Sequence, residues 1–183
     1  MFRLWIVTAA TLIAAGTAKA QHASPSPYSG LEARPIKGPS DQQIADLRAG
    51  RGMGLALPAE LNGYPGPIHV LELGDRLGPT GEQRTRVRDL HAAMRTETVP
   101  LGERLIAQET DLDRQFATQS VAPASLQAAT PDIGATQGAL RGPHLRYHSF
   151  ALEVLTPEQV RRYSELRGYG TSGSHGHGPK SHH

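Results

Sequence analysis

TGEQRTRVRDLHAAMRTETVPLGERLIAQETDLDRQFAT, residues 80–118, is the longest helical pattern in the chain and decides its fold class. Val87, Leu90, Met94, Leu101, Leu105, Leu112 and Phe116 recur at threes, fours and sevens, the spacing that draws one apolar seam along a helix. Pro100 interrupts the seam, and an interior proline costs about 3 kcal/mol and one hydrogen bond, so a kink is expected there. A second seam, Leu126, Ile133, Leu140 and Tyr147, runs through residues 123–154. In it Thr130-Pro131-Asp132 has the chemistry of a helix restart, and Gly142-Pro143 that of another kink. No segment alternates like a strand. The expected fold is therefore all-α: a long, kinked, antiparallel helical hairpin turning near residue 120, with short helices before it and one after it.

Three helix starts share one chemistry, a hydroxyl three residues before a glutamine: Ser40 with Gln43, Thr80 with Gln83, and Thr156 with Gln159. In such a capping box the hydroxyl accepts from the N3 amide and the glutamine carbonyl accepts from the cap amide. The third start, LTPEQV, adds Pro157 at the first helical position, Glu158 near the positive helix end and a Leu155–Val160 staple. The first box should open a short helix, DQQIADLRA, that stops at Gly50. Beyond it RGMGLALPAELNGYPGPIHVLEL reads as a short apolar piece, a turn over residues 62–66 and a short helix from Pro67 to Arg76. Its glycines lack the Lys-Ser/Thr and the preceding strand of a phosphate loop.

Residues 1–20 have Arg3, an apolar run and Ala18-Lys19-Ala20, the plan of a cleavable secretory signal. The apolar run is short of the roughly 20 residues of a membrane-spanning helix, although left uncleaved it would anchor the chain. The expected organisation is a signal peptide over 1–20, a flexible Ser/Pro/Gly leader over 21–39, a helical domain over 40–169 and a disordered, histidine-containing tail over 170–183. Of 19 Lys and Arg, two lie in the signal, leaving 17 against 17 Asp and Glu. An exported chain would thus be neutral, which argues against nucleic acid as a partner. There is no cysteine, so neither disulfides nor thiolate metal ligands are available.

A hairpin turning between Gln119 and Ser120 would set His91 opposite His148 and Met94 opposite Leu145. His91 and Met94 are at i and i+3, His144 and His148 at i and i+4, so each pair shares a helix face. Three imidazoles and a thioether could meet between the helices as metal ligands: His91, Met94, His144 and His148. Imidazole suits zinc, copper and nickel, and thioether favours softer ions such as Cu(I). The alternative is that these histidines are half-buried at the edge of the seam and satisfied by water or backbone. His69, in PIHVLEL, reads as a partly exposed surface residue. The tail histidines His175, His177, His182 and His183 could collect metal loosely or simply be solvated. No nucleophilic cysteine, HExxH or GxSxG is present, and Glu103, Glu109, Asp111 and Asp113 with Arg104 and Arg114 read as a solvated face, so no catalytic residue, enzymatic activity or organic cofactor is expected.

Leu155-Thr156-Pro157-Glu158-Gln159 and its degraded copy Pro79-Thr80-Gly81-Glu82-Gln83 resemble the repeat of the LTxxQ family of periplasmic proteins. That family includes Spy, CpxP and the zinc-associated ZraP, alongside CnrX-like heavy-metal sensors. The stretch from Asp46 to Leu73 is similar to proteins described as periplasmic heavy-metal sensors, and the resemblance covers residues 40–169. It implies a Gram-negative periplasmic, non-catalytic helical hairpin that forms a homodimer. It also implies one of two kinds of work: binding metal ions as a sensor or resistance accessory, or holding unfolded envelope proteins and modulating a membrane stress sensor as a chaperone without ATP. His and Met ligands from packed helices are part of what the sensors imply, as for His91, Met94, His144 and His148. The repeat departs from the family pattern at Pro79, where leucine is expected, and at Gly81, which weakens the helix start.

Overall fold

The computed structural model describes residues 26–169, so the expected signal peptide and histidine tail lie outside the described residues. Residues 26–33 belong to a small unit of their own, ending in a 3₁₀ turn over Leu31–Ala33. From Arg34 onward, every regular element among the described residues is helical. The α-helices are α1 (Asp41–Ala49), α2 (Leu57–Glu60), α3 (Pro67–Leu73), α4 (Gly81–Ala117), α5 (Pro123–Val154) and α6 (Pro157–Leu166), with a 3₁₀ turn over Gly74–Arg76. No described helix is long and apolar enough to cross a membrane.

All three capping boxes form. Ser40 Oγ accepts from Gln43 N at 3.2 Å and Gln43 Oε1 accepts from Ser40 N at 2.8 Å. Thr80 with Gln83 and Thr156 with Gln159 do the same at 3.2 and 2.9 Å. α4 and α5 each run as one helix, through Pro100 in α4 and through Pro131 and Pro143 in α5. They pack against each other and are joined by residues 118–122. Glu97 of α4 accepts from the Tyr147 hydroxyl of α5 at 2.7 Å and pairs with Arg146.

The interior divides into two apolar clusters. One joins Leu47 of α1, Leu105 and Ile106 of α4, and Ile133 and Leu140 of α5. Ile36 belongs to it as well, and its neighbour Lys37 pairs with Asp113, so the last residues before Ser40 are held against the helices. Here α1 lies so close to α4 that a Cβ on Gly102 would stand 2.6 Å from the Leu47 carbonyl oxygen. The second cluster joins Val70, Leu77, Val87, Val154, Leu155 and Tyr163. Burying a side chain of this size contributes about 1.5–3 kcal/mol, so each cluster is a substantial anchor.

Beside the second cluster the Thr80 and Thr156 boxes meet. Gln83 Nε2 donates to Gln159 Oε1 at 2.9 Å, and Gln159 Nε2 to Gln83 Oε1 at 3.0 Å. Gln83 Nε2 also donates to Val154 O and Gln159 Nε2 to Gly78 O. Each accepting carbonyl belongs to the residue two places before a cap threonine, so the two glutamines satisfy each other's helix starts symmetrically.

Candidate metal centre

A cavity of about 690 Å³ is lined by the end of α1 and the loop that follows it, by α2, α3 and α4, by His148 of α5, and by Arg167 and Tyr169 after α6. His91, Met94 and His148 line it, together with His69, Glu72, Arg95 and Glu60. Met94 is buried and His91 is half-buried. His144 does not line it. His144 is buried one turn away beside Gly52, where a glycine Cβ would stand 3.5 Å from its Nδ1. The expected facing of His91 and His148 placed residue 92 opposite Tyr147, whereas Glu97 meets Tyr147, five residues or about 1.4 helical turns further along α4.

The chain turn over residues 61–66 is what gives His148 its chemistry. His148 is 8% exposed, and its Nδ1 lies 2.8 Å from the Tyr64 carbonyl oxygen. A carbonyl can only accept, so Nδ1 carries the proton and the neutral ring keeps its lone pair at Nε2. His69 repeats the arrangement: its Nδ1 donates to Glu72 Oε2 at 2.9 Å, leaving Nε2 as the acceptor of the neutral ring. Both rings press on Gly66, whose absent Cβ would stand 3.0 Å from His148 Cε1, 3.2 Å from His148 Nε2 and 3.1 Å from His69 Cδ2. A side chain at Gly66 would therefore crowd the edges of both imidazoles and push them by a few tenths of an ångström.

Metal-ligating histidines usually donate their second ring nitrogen to a carbonyl or carboxylate, which fixes the tautomer and raises ligand basicity. His69 and His148 both meet that condition. Glu72, already bound to His69, also acts on His91, raising its proton affinity against burial and the Arg95 charge, which together hold the His91 pKa below the ordinary value. The His148 pKa is lowered by burial and by His69, against the Tyr64 carbonyl and the Glu60 carboxylate. Each shift keeps imidazole neutral, the state in which it can ligate a metal. The donor set fits a borderline divalent ion better than Cu(I), since nitrogen and carboxylate oxygen outnumber the Met94 sulfur. Among the described residues, however, no three of His, Asp and Glu stand together so as to hold an ion outright. The site is a pair of prepared imidazoles with further donors around the cavity wall.

Glu60 is 6% exposed, and its Oε1 accepts from Tyr163 at 2.5 Å, Tyr169 at 2.8 Å and Arg167 at 3.3 Å. Its Oε2 has no hydrogen-bond partner and lies 3.6 Å from His148 Nδ1. His144 shows the contrary environment: burial, and then the charge of His148, push its pKa down to about 4, and its Nε2 is buried without a partner.

Sequence reasoning read His69 as a partly exposed surface residue, which it is, and passed over Glu60, Glu72 and Gly66. His69 and Glu72 at i and i+3 were a legible hint of a carboxylate-oriented imidazole. Glu60, sitting between Ala59 and Leu61, carried no local sign of burial. Comparison with known proteins finds no matching family model, no matching curated protein and no matching solved structure.

Proposed function

We propose that this protein is a periplasmic metal-binding sensor or heavy-metal resistance accessory of the LTxxQ type, built on a kinked antiparallel hairpin of α4 and α5. The observation that carries the reading is the pair of imidazoles at Gly66, each with Nδ1 fixed by a fold-provided acceptor and with Nε2 left to bind. Zinc, nickel or copper(II) is the ion class this donor set suits. His148 and His69 are the primary ligands, His91 and Met94 stand within the same cavity as completing donors, and His144 serves the core. Thr80-to-Gln83 and Thr156-to-Gln159, the residues that carry the resemblance, hydrogen-bond to each other, which gives them a physical role as a clamp.

Calorimetric titration with zinc, nickel and copper(II) tests the reading. The chain should show a saturable site that the His69→Ala/His148→Ala double variant lacks while keeping whatever binding its tail histidines provide. Isotherms that superimpose for the two proteins would sink the proposal.

One observation favours a second reading, an ATP-independent holdase. Met53, Leu57, Leu61 and Tyr64 are between 39% and 58% exposed within one twelve-residue stretch, an apolar surface of the kind unfolded clients bind. That reading requires suppression of client aggregation without metal, lost on Leu57→Ser/Leu61→Ser. Failure with several unrelated clients counts against it.

A further inference from the structure

Glu60 faces in two directions. Its Oε1 holds the end of α6 and the residues after it, through Tyr163, Arg167 and Tyr169, while Oε2 faces the proton-bearing nitrogen of His148 without a hydrogen bond of its own. A buried carboxylate oxygen left in this state costs free energy until a donor or positive charge reaches it. The His148 Nδ1–H is donated to the Tyr64 carbonyl at 2.8 Å, and Glu60 Oε2 lies 3.6 Å from the same nitrogen, so a small shift of ring or carboxylate lets that N–H be shared between the two acceptors. A cation on the opposite ring nitrogen withdraws electrons from imidazole, making its N–H more acidic and a stronger donor. We infer that Glu60 is a positioning residue through which occupancy of the His69–His148 site fastens the C-terminal segment Tyr163–Tyr169, so that this segment is the site's output. The inference rests on the metal-binding reading and goes beyond it in naming what binding changes.

The segment carries its own reporter. Trypsin cleaves after Arg167 only when that residue leaves Glu60, and cleavage from a transiently open state follows the population of that state. With the full chain, saturating zinc should slow cleavage at Arg167–Gly168 about tenfold, equivalent to about 1.4 kcal/mol of added closure, and leave cleavage at Lys37–Gly38 unchanged. Glu60→Gln should cleave faster than the parent without metal and lose the zinc effect while still binding zinc, since Glu60 stands on the Nδ1 side of the ring. Tyr169→Phe, which removes one hydroxyl and keeps the ring, should weaken the protection without endangering the fold. Zinc that binds by calorimetry yet leaves Arg167 cleavage unaltered overturns the coupling and leaves the metal site standing; so does undiminished protection in both variants. Zinc that does not bind overturns both.

Discussion

The junction of the two capping boxes and the cavity beside it are built from the same kinds of polar group, yet they are finished differently. At the junction every amide of Gln83 and Gln159 is used on both sides, with each other and with the backbone at 2.9–3.1 Å. In the cavity His148 and His69 are each held at Nδ1 with Nε2 left over, and Glu60, buried behind His148, is held through Oε1 alone. A closed network adds rigidity, because removing any member strands its partners. A network closed only on its outer side positions donors and leaves them chemically available. On the proposed reading the contrast separates the part of the molecule that maintains the fold from the part that would take a ligand, and it can be broken or sharpened from several directions.

Acidification should have the largest effect, through a third type of site, the buried position of His144. In the folded protein His144 stays neutral to about pH 4, whereas the unfolded chain takes up its proton near 6.5. The unfolded state then binds more protons, so this contribution is complete above pH 6.5 and lost as pH falls toward 4, by about 3 kcal/mol. Lowered pKa values of His148 and His91 act in the same direction. Denaturant midpoints measured across that range should drop, and His144→Leu should flatten the part due to His144. An unchanged slope in that variant would show that His144 is not the acid-sensitive group.

At the junction, Gln83→Ala and Gln159→Ala should each cost about 2 kcal/mol in urea unfolding, from lost bonds and stranded partners. The double variant should cost about 1 kcal/mol less than their sum, because the second change removes a group already deprived of its partner. Strict additivity would mean that the two boxes do not act as one clamp. Gly66→Ala is the smallest of these perturbations. Its new methyl group meets both imidazole edges at 3.0–3.2 Å, so the stability cost should be about 1 kcal/mol while zinc affinity falls by roughly tenfold. An affinity left intact would place the ion elsewhere.

The junction and the cavity also differ in how they are written in the chain. A capping box is closed within three residues, so Ser40, Thr80 and Thr156 announced their helices directly, and helical periodicity exposed much of the seams of α4 and α5, although Phe116, expected on the first, is 54% exposed. That the second and third boxes bind each other, 76 residues apart, is a tertiary fact with no local trace. The stripe through His91 and Met94 was legible and does line the cavity. His144 and His148, equivalent by helical spacing, were not distinguishable, because the difference is supplied by Tyr64, which lies 84 residues from His148, and by Gly52. Glu60 was the least legible of all: its burial depends on Tyr163 and Tyr169, 103 and 109 residues away.

Imidazole nitrogen NMR of the protein, before and after one equivalent of zinc, tests the central claim most directly. The account predicts that His148 is an Nδ1-protonated neutral ring in the metal-free state, and that zinc shifts Nε2 of His148 and of His69. An Nε2-protonated His148, or zinc shifts confined to the tail histidines, would contradict it.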